Sequence, residues 1–131
     1  MNTDHREIKF EGVTEEIIRV FYKVYNRLGY GFLEKVYVNA LIIELVKAGI
    51  HATAQAPIKV LYDGHVVGEY FADILVEDKV IVEVKAVKTL SPEHDAQLLN
   101  YLKATDVEVG LLLNFGARPE LRRKLFDNCR K

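Results

Sequence analysis

The chain has 131 residues, a length that fits one domain, residues 1–131, with a hydrophobic core and leaves no room for two independent ones. Half of the residues are apolar and 28% are charged, which describes a packed globule, while a formal charge of −1 lacks the overall basic character common among nucleic-acid binders. The single cysteine, Cys129, excludes an intramolecular disulfide, a cysteine zinc cage and an iron–sulfur cluster and fits a reducing, cytoplasmic setting. No apolar run reaches membrane-spanning length, and residues 1–6 are polar, without a signal peptide's apolar segment.

Over residues 14–28, Ile17, Ile18, Phe21, Val24, Tyr25 and Leu28 recur at helical spacing, with Glu15 and Glu16 suited to the N-terminal dipole and Gly29 placed to stop the helix. After Gly29-Tyr30-Gly31, a second helical stripe runs through Leu33, Val36, Tyr37, Ala40, Leu41, Ile43 and Leu45 and ends at Gly49. The aromatic residues Phe21, Tyr22, Tyr25, Phe32 and Tyr37 are assigned to core packing. The Gly29–Gly31 stretch lacks a phosphate-loop lysine and a preceding strand, so nucleotide binding there has no support.

The pattern then becomes extended. Pro57 precedes a strand over residues 58–62, Asp63-Gly64 signals a hairpin turn, and an apolar-rich run covers residues 66–76. Glu77-Asp78-Lys79 leads into a third strand over 80–85, rich in β-branched residues. Ser91 caps a helix that begins at Pro92, with Leu98, Leu99 and Leu102 on its apolar side. Residues 107–115 form a nearly all-apolar strand expected to be central, and an extra C-terminal strand is expected around residues 121–126. Arg118, Arg122, Arg123, Lys124, Arg130 and Lys131 crowd this last segment and read as a solvated surface. Helix, helix, three strands, helix, strand is the order of a mixed α/β-sheet flanked by helices, with the third and fourth strands parallel across a right-handed crossover.

Hairpin parity brings chemistry together. A three-residue loop at Glu77-Asp78-Lys79 sets Val76 against Val80 and Asp73 against Glu83, and Lys85 shares the face of Glu83. Ile74, Val76, Val82 and Val84 then point the other way, into an apolar layer. A two-residue loop or an uncompensated bulge separates the two carboxylates. Two carboxylates without histidine or cysteine favour a hard, oxygen-preferring ion, Mg²⁺ with Mn²⁺ as its substitute, and metal-assisted hydrolysis of a phosphodiester with Lys85 orienting water or stabilising negative charge. Edge-strand charges at Glu83 and Lys85 and a turn residue at Asp73 form the plainer alternative. Burial of the strands on both faces weighs against it, because unpaired buried charges are costly.

Asp73 followed by Glu83-x-Lys85 resembles the signature of the PD-(D/E)XK nuclease superfamily, and Gly31-x-x-Glu34-x-x-Tyr37 is similar to the motif of the GxxExxY proteins within it. The resemblance runs from about Val13 to Gly116 and includes Ala72-Asp73-Ile74, Val82-Glu83-Val84-Lys85-Ala86, Gln97-Leu98-Leu99-Asn100-Tyr101 and Leu113-Asn114-Phe115-Gly116. Tyr30 stands where that family often has proline, and the segment after Gly116 matches least. The resemblance implies a restriction-endonuclease-like fold, with Asp73, Glu83 and Glu34 as metal ligands and Lys85 as the catalytic lysine. Gln97-x-x-x-Tyr101 resembles the glutamine and tyrosine motif of RecB-type nucleases, which places Gln97 at the catalytic site and Tyr101, with Tyr37, at the substrate. On the residues alone, Glu34 reads first as a helix-surface charge paired with Lys35 or Lys88, Tyr101 equally as core, and His94 first as structural or solvent-exposed. The implied partner is nucleic acid, DNA ahead of RNA, with no membrane. A catalytically silent nuclease-fold module acting in a complex is the alternative, and small size leaves room for a homodimer.

Overall fold

The computed structural model describes residues 2–131, with side chains from Gly12 onward, so the polar segment at residues 1–6 falls outside the described side chains. Helices α1 (Asn2–Leu28) and α2 (Glu34–Lys47) are followed by strands β1 (Ala52–Tyr62), β2 (His65–Val76) and β3 (Val80–Lys85), helix α3 (Pro92–Lys103), and strands β4 (Val109–Phe115) and β5 (Pro119–Leu125). A 3₁₀ turn over Asn128–Arg130 follows. The five strands lie in chain order in one sheet. Only the β3–β4 pair is parallel, joined by α3 as the crossover, so the expected mixed α/β architecture and element order hold. β4 is an inner strand whose residues are all buried, while β3 occupies the middle of the sheet.

Local chemistry explains most boundaries. Gly49, at φ +77°, lets Ile50 N donate to Leu45 O (2.9 Å) and Gly49 N to Val46 O (2.9 Å), which closes the last turn of α2 in a Schellman arrangement. Asp63 and Gly64 both take positive φ, as do Glu77 and Asp78, matching the twist that tight hairpins require. Lys79 N donates to Val76 O (2.9 Å), and Val76 pairs with Val80, the register that a three-residue loop imposes. β1 starts at Ala52, six residues before the predicted strand, because a proline is tolerated on an edge strand where its missing N–H can face away from the sheet; Pro57 sits within β1 opposite Phe71. α1 likewise extends back to Asn2, ahead of the predicted start near Thr14.

Two cores lie on opposite faces. Against α1 and α2, Ile74, Val76, Val80, Val82 and Val84 pack with Leu111, Leu113 and Phe115. There Phe115 stacks on Tyr37 (centroids 4.1 Å apart, planes at 12°) and meets Phe21 edge-on at 4.9 Å. Tyr22 and Phe32 do not join this core: both are exposed, Tyr22 because it follows Phe21 by 100° around the helix and Phe32 because it lies in the loop before α2. Against α3, Ile81 and Leu112 pack with Leu98 and Leu102.

Candidate active site

The β2–β3 ladder ends at Ile74–Val82, and the next pair in register is Asp73 and Glu83. Their side chains take over from the backbone there. Asp73 N donates to Glu83 Oε2 (2.8 Å), and Val84 N donates to Asp73 Oδ2 (2.8 Å). On the other side of β2, Gln55 stands opposite Asp73 by register but drops out of the pairing and adopts φ +55°. The backbone of Asp73 is thus released from both neighbours, and reciprocal hydrogen bonds fix the two carboxylates across the gap. Alternation along β2 breaks at the same point: Ile74 packs on the α1/α2 side, whereas Ala72 packs with the α3 cluster alongside Ala56 and Ile58. Beyond Asp73, the β1–β2 hairpin turns toward α3.

The electrostatics follow from this burial. The Glu83 carboxyl is pushed up to about 8, first by burial and then by the charge of Asp73, against the pull of the Asp73 N–H and of Lys85. Asp73 is raised by its own burial and held back by the Val84 N–H and Lys85. Lys85, half-buried on the last position of β3, forms no ion pair among the described residues, yet its charge favours the ionised form of both acids. The Tyr101 hydroxyl is pushed up to about 12 by burial and by the nearby charges of Glu83 and Asp73, so it remains a proton donor at neutral pH.

Glu34 opens α2 and is exposed; its charge is felt at Glu83. Among the described residues, however, no three acidic, histidine or cysteine groups come together as a metal-binding set. The chain brings Asp73 and Glu83 together, and Glu34 acts on Glu83 through its charge without joining them in such a set. Tyr37 is corrected from substrate contact to internal brace: it is fully buried, its hydroxyl donates to Gly29 O (2.8 Å) and accepts from Phe32 N (3.2 Å). A side chain with no accessible surface cannot touch a substrate in this conformation. The Gly31-x-x-Glu34-x-x-Tyr37 spacing has a local rationale: Gly31 takes φ +110°, Tyr37 ties the loop down, and Glu34 is presented at the helix start.

Gln97 and Tyr101 share one face of α3 and border a groove of about 670 Å³ between that helix and the β1–β2 hairpin, with Tyr70 on the opposite wall. No hydrogen bond among the described residues engages the Gln97 amide. His94 belongs to the helix cap, its Nδ1 accepting from Ser91 N at 3.1 Å.

Asn114 is a positioning residue that sequence reasoning missed. It is fully buried beside Lys85 in the β3–β4 register. Its Oδ1 accepts from Val87 N (2.9 Å), and its Nδ2 donates to Val87 O (2.9 Å) and Glu120 Oε1 (2.9 Å). Glu120 Oε1 also accepts from Leu90 N (3.1 Å), so the loop that follows Lys85 is fastened at two points. The available signal was one amide within an otherwise apolar strand, since a buried polar side chain must find partners.

The donor set fits a divalent cation of the hard type. Both ligand candidates are carboxylates, hydrogen bonds engage one oxygen of each, and their mutual repulsion is of the kind that a cation relieves. Two carboxylates suffice for Mg²⁺, which keeps water or substrate oxygens in its other positions.

The family profile of the PD-(D/E)XK nuclease superfamily matches residues 11–124. The chain belongs to this superfamily. Among solved structures, the PD-(D/E)XK chain is similar to the crystal structure of SSO0001, with a TM-score of 0.58 and 19% identity over 93% of its own length. It spans 62% of the SSO0001 chain. At that identity the likeness shows the fold, and with the sheet topology it identifies the restriction-endonuclease-like arrangement of this superfamily. No curated protein is significantly similar to the chain in sequence. No described helix is long and apolar enough to cross a membrane.

Proposed function

We propose that this member of the PD-(D/E)XK superfamily is a divalent-metal-dependent nuclease that hydrolyses phosphodiester bonds, with Mg²⁺ as its ion, Mn²⁺ as a substitute and DNA ahead of RNA as its substrate. The motif Gly31-x-x-Glu34-x-x-Tyr37 supports a place among the GxxExxY proteins within that superfamily. The observation that carries this reading is the pair of buried Glu83 and half-buried Asp73, each carboxylate held by a backbone N–H next to Lys85. When bound, a divalent cation supplies Lewis acidity toward a phosphate oxygen and acidifies a coordinated water.

The side chains divide the remaining work. Asp73 and Glu83 hold the ion, their orientation set by the backbone N–H groups they accept from. Lys85 orients the attacking water or steadies charge that develops on the phosphate. Gln97 offers an amide donor to the phosphate, and Tyr101 contacts the substrate as a protonated phenol. Glu34 adds negative charge from outside the ligand pair.

The test uses linear, nicked, branched and single-stranded DNA with Mg²⁺ or Mn²⁺. Cleavage is expected, with a loss of at least about a hundredfold in Asp73→Ala and Lys85→Ala, the scale of removing one preorganised charge from a transition state. Equal activity in those variants rejects the site. Two observations favour a second reading, a silent nuclease-fold binding module: the net charge of −1 and the lack of a three-acid set among the described residues. Metal binding that depends on Asp73, without cleavage of any nucleic acid tried, is the outcome that selects it.

A further inference from the structure

We infer that the groove between α3 and the β1–β2 hairpin is a subsite for one unpaired nucleobase adjoining the reacting phosphodiester, so that the preferred substrate is a single strand or a frayed end. The position of the phosphate rests on the nuclease reading; the base subsite rests on the groove itself.

Its volume, about 670 Å³, is that of a small-molecule site. One wall is Tyr101, 6% exposed, which packs in the same cluster as Ala72, the residue before Asp73, and Ile81, two residues before Glu83. The other wall carries Tyr70, 48% exposed, with its ring centroid 5.7 Å from that of Tyr101 and the planes at 44°. A base sandwiched between two rings needs a gap of about 7 Å, twice an aromatic stacking distance near the van der Waals contact. The tilted, closer pair instead leaves the outer face of Tyr70 as a platform, backed by Tyr101. Leu61 extends the apolar wall, while Gln97 and Asn100 offer amide donors and acceptors to a base edge. Lys103 and Glu93 line the groove with opposite charges, and the Lys103 ammonium lies 5.6 Å from the Phe126 ring centroid, so the rings and amides rather than net charge recommend the groove for a base.

This constellation reads bases rather than tracking a duplex. A paired base presents its face to its stacked neighbours and its edge to its partner, and extracting it costs free energy that a single strand does not spend. A chain with a net charge of −1 also has little of the broad phosphate attraction that dominates duplex binding. Stacking on an aromatic platform supplies affinity that survives this lack of charge.

The experiment measures fluorescence anisotropy of a labelled 12-nucleotide single strand, the same strand with abasic residues, and its blunt duplex, with the full chain and no divalent ion. The single strand is expected to bind about tenfold more tightly than the other two. Tyr70→Ala should erase that difference and Tyr70→Phe should keep it. Asn100→Ala, on the exposed side of α3, provides a second reading of about threefold weaker binding if Tyr70→Ala does not fold. Single-strand binding that is unchanged in Tyr70→Ala and Asn100→Ala, or equal affinity for single strand and duplex, overturns the subsite. The two readings fail separately. Cleavage that needs Asp73 but ignores Tyr70 leaves the nuclease without this subsite, whereas Tyr70-dependent binding without cleavage leaves the subsite and removes the nuclease.

Discussion

On the α1/α2 face of the sheet, Tyr37, Phe115 and Phe21 pack ring against ring and the Tyr37 hydroxyl is consumed by the Gly29–Phe32 loop; on the α3 face, the cluster that holds Ala72, Ile81 and Tyr101 gives way to two carboxylates and a lysine. The same β3 strand serves both, with Val82 and Val84 turned into the first and Glu83 and Lys85 toward the second. The difference is one of what burial leaves unmet. Where the polar atoms are satisfied internally, a face contributes stability; where two like charges are half-desolvated together, it stores a demand that a proton or a cation must satisfy.

The largest effect that sharpens this contrast is expected from Phe115→Ala, which empties the centre of the ring stack. A loss of about 3–5 kcal/mol in denaturant unfolding is expected, the range for deleting a buried phenylalanine. A loss below about 1 kcal/mol would mean that the two faces do not differ in the way their packing implies.

The next effect is on pH dependence. The Glu83 carboxyl has its folded pKa raised to about 8 from an ordinary value of 4.5. Between those values the folded chain holds more proton than the unfolded chain, so stability without metal is fully present below pH 4.5, declines as pH rises and levels off above about 8. Asp73, also raised, acts in the same direction. Thermal melting between pH 5.5 and 8.5 should show the decline, and Glu83→Gln should flatten it. Because protons compete with cations for the pair, Mn²⁺ should raise the melting temperature more at pH 8.5 than at pH 6. An identical slope in Glu83→Gln would place the titration elsewhere.

The smallest effect tests the seam between the two regions. Gln55 holds a positive φ opposite Asp73, at a position where a non-glycine side chain costs roughly 1 kcal/mol. Gln55→Gly removes that cost but frees the unfolded chain, so a net change within about 0.5 kcal/mol is expected, whereas Gln55→Val should lose about 1 kcal/mol or more through its branched side chain. Urea unfolding of both variants checks the pair; a Val variant as stable as Gly would show that the Gln55 backbone is not strained.

What was legible before the fold was known depended on short-range rules. The turn at Glu77-Asp78-Lys79 and the two-residue period of the strands sufficed to put Asp73 across from Glu83, and the register agrees. The helix from Ser91 and the all-apolar strand after it sufficed for the parallel crossover. The error at β1 has a local cause, since Pro57 reads as a boundary until the strand is known to lie at the sheet edge. Tyr22 and Phe32 depart from the expected core because angular position on the helix and placement in the loop, not aromatic character, decide exposure.

By itself, the order of residues determined the element order, the α/β class and the pairing of Asp73 with Glu83, because each follows from spacing along a few turns of chain. Only the tertiary structure decided that Glu34 does not complete a three-acid set with that pair, that Tyr37 is sealed in the core, that Asn114 fastens the loop after Lys85, and that the Tyr70 ring meets that of Tyr101 at the edge of a groove. Each of these joins segments distant in sequence, and the packing of helices on a sheet, not any local periodicity, sets the distance between them.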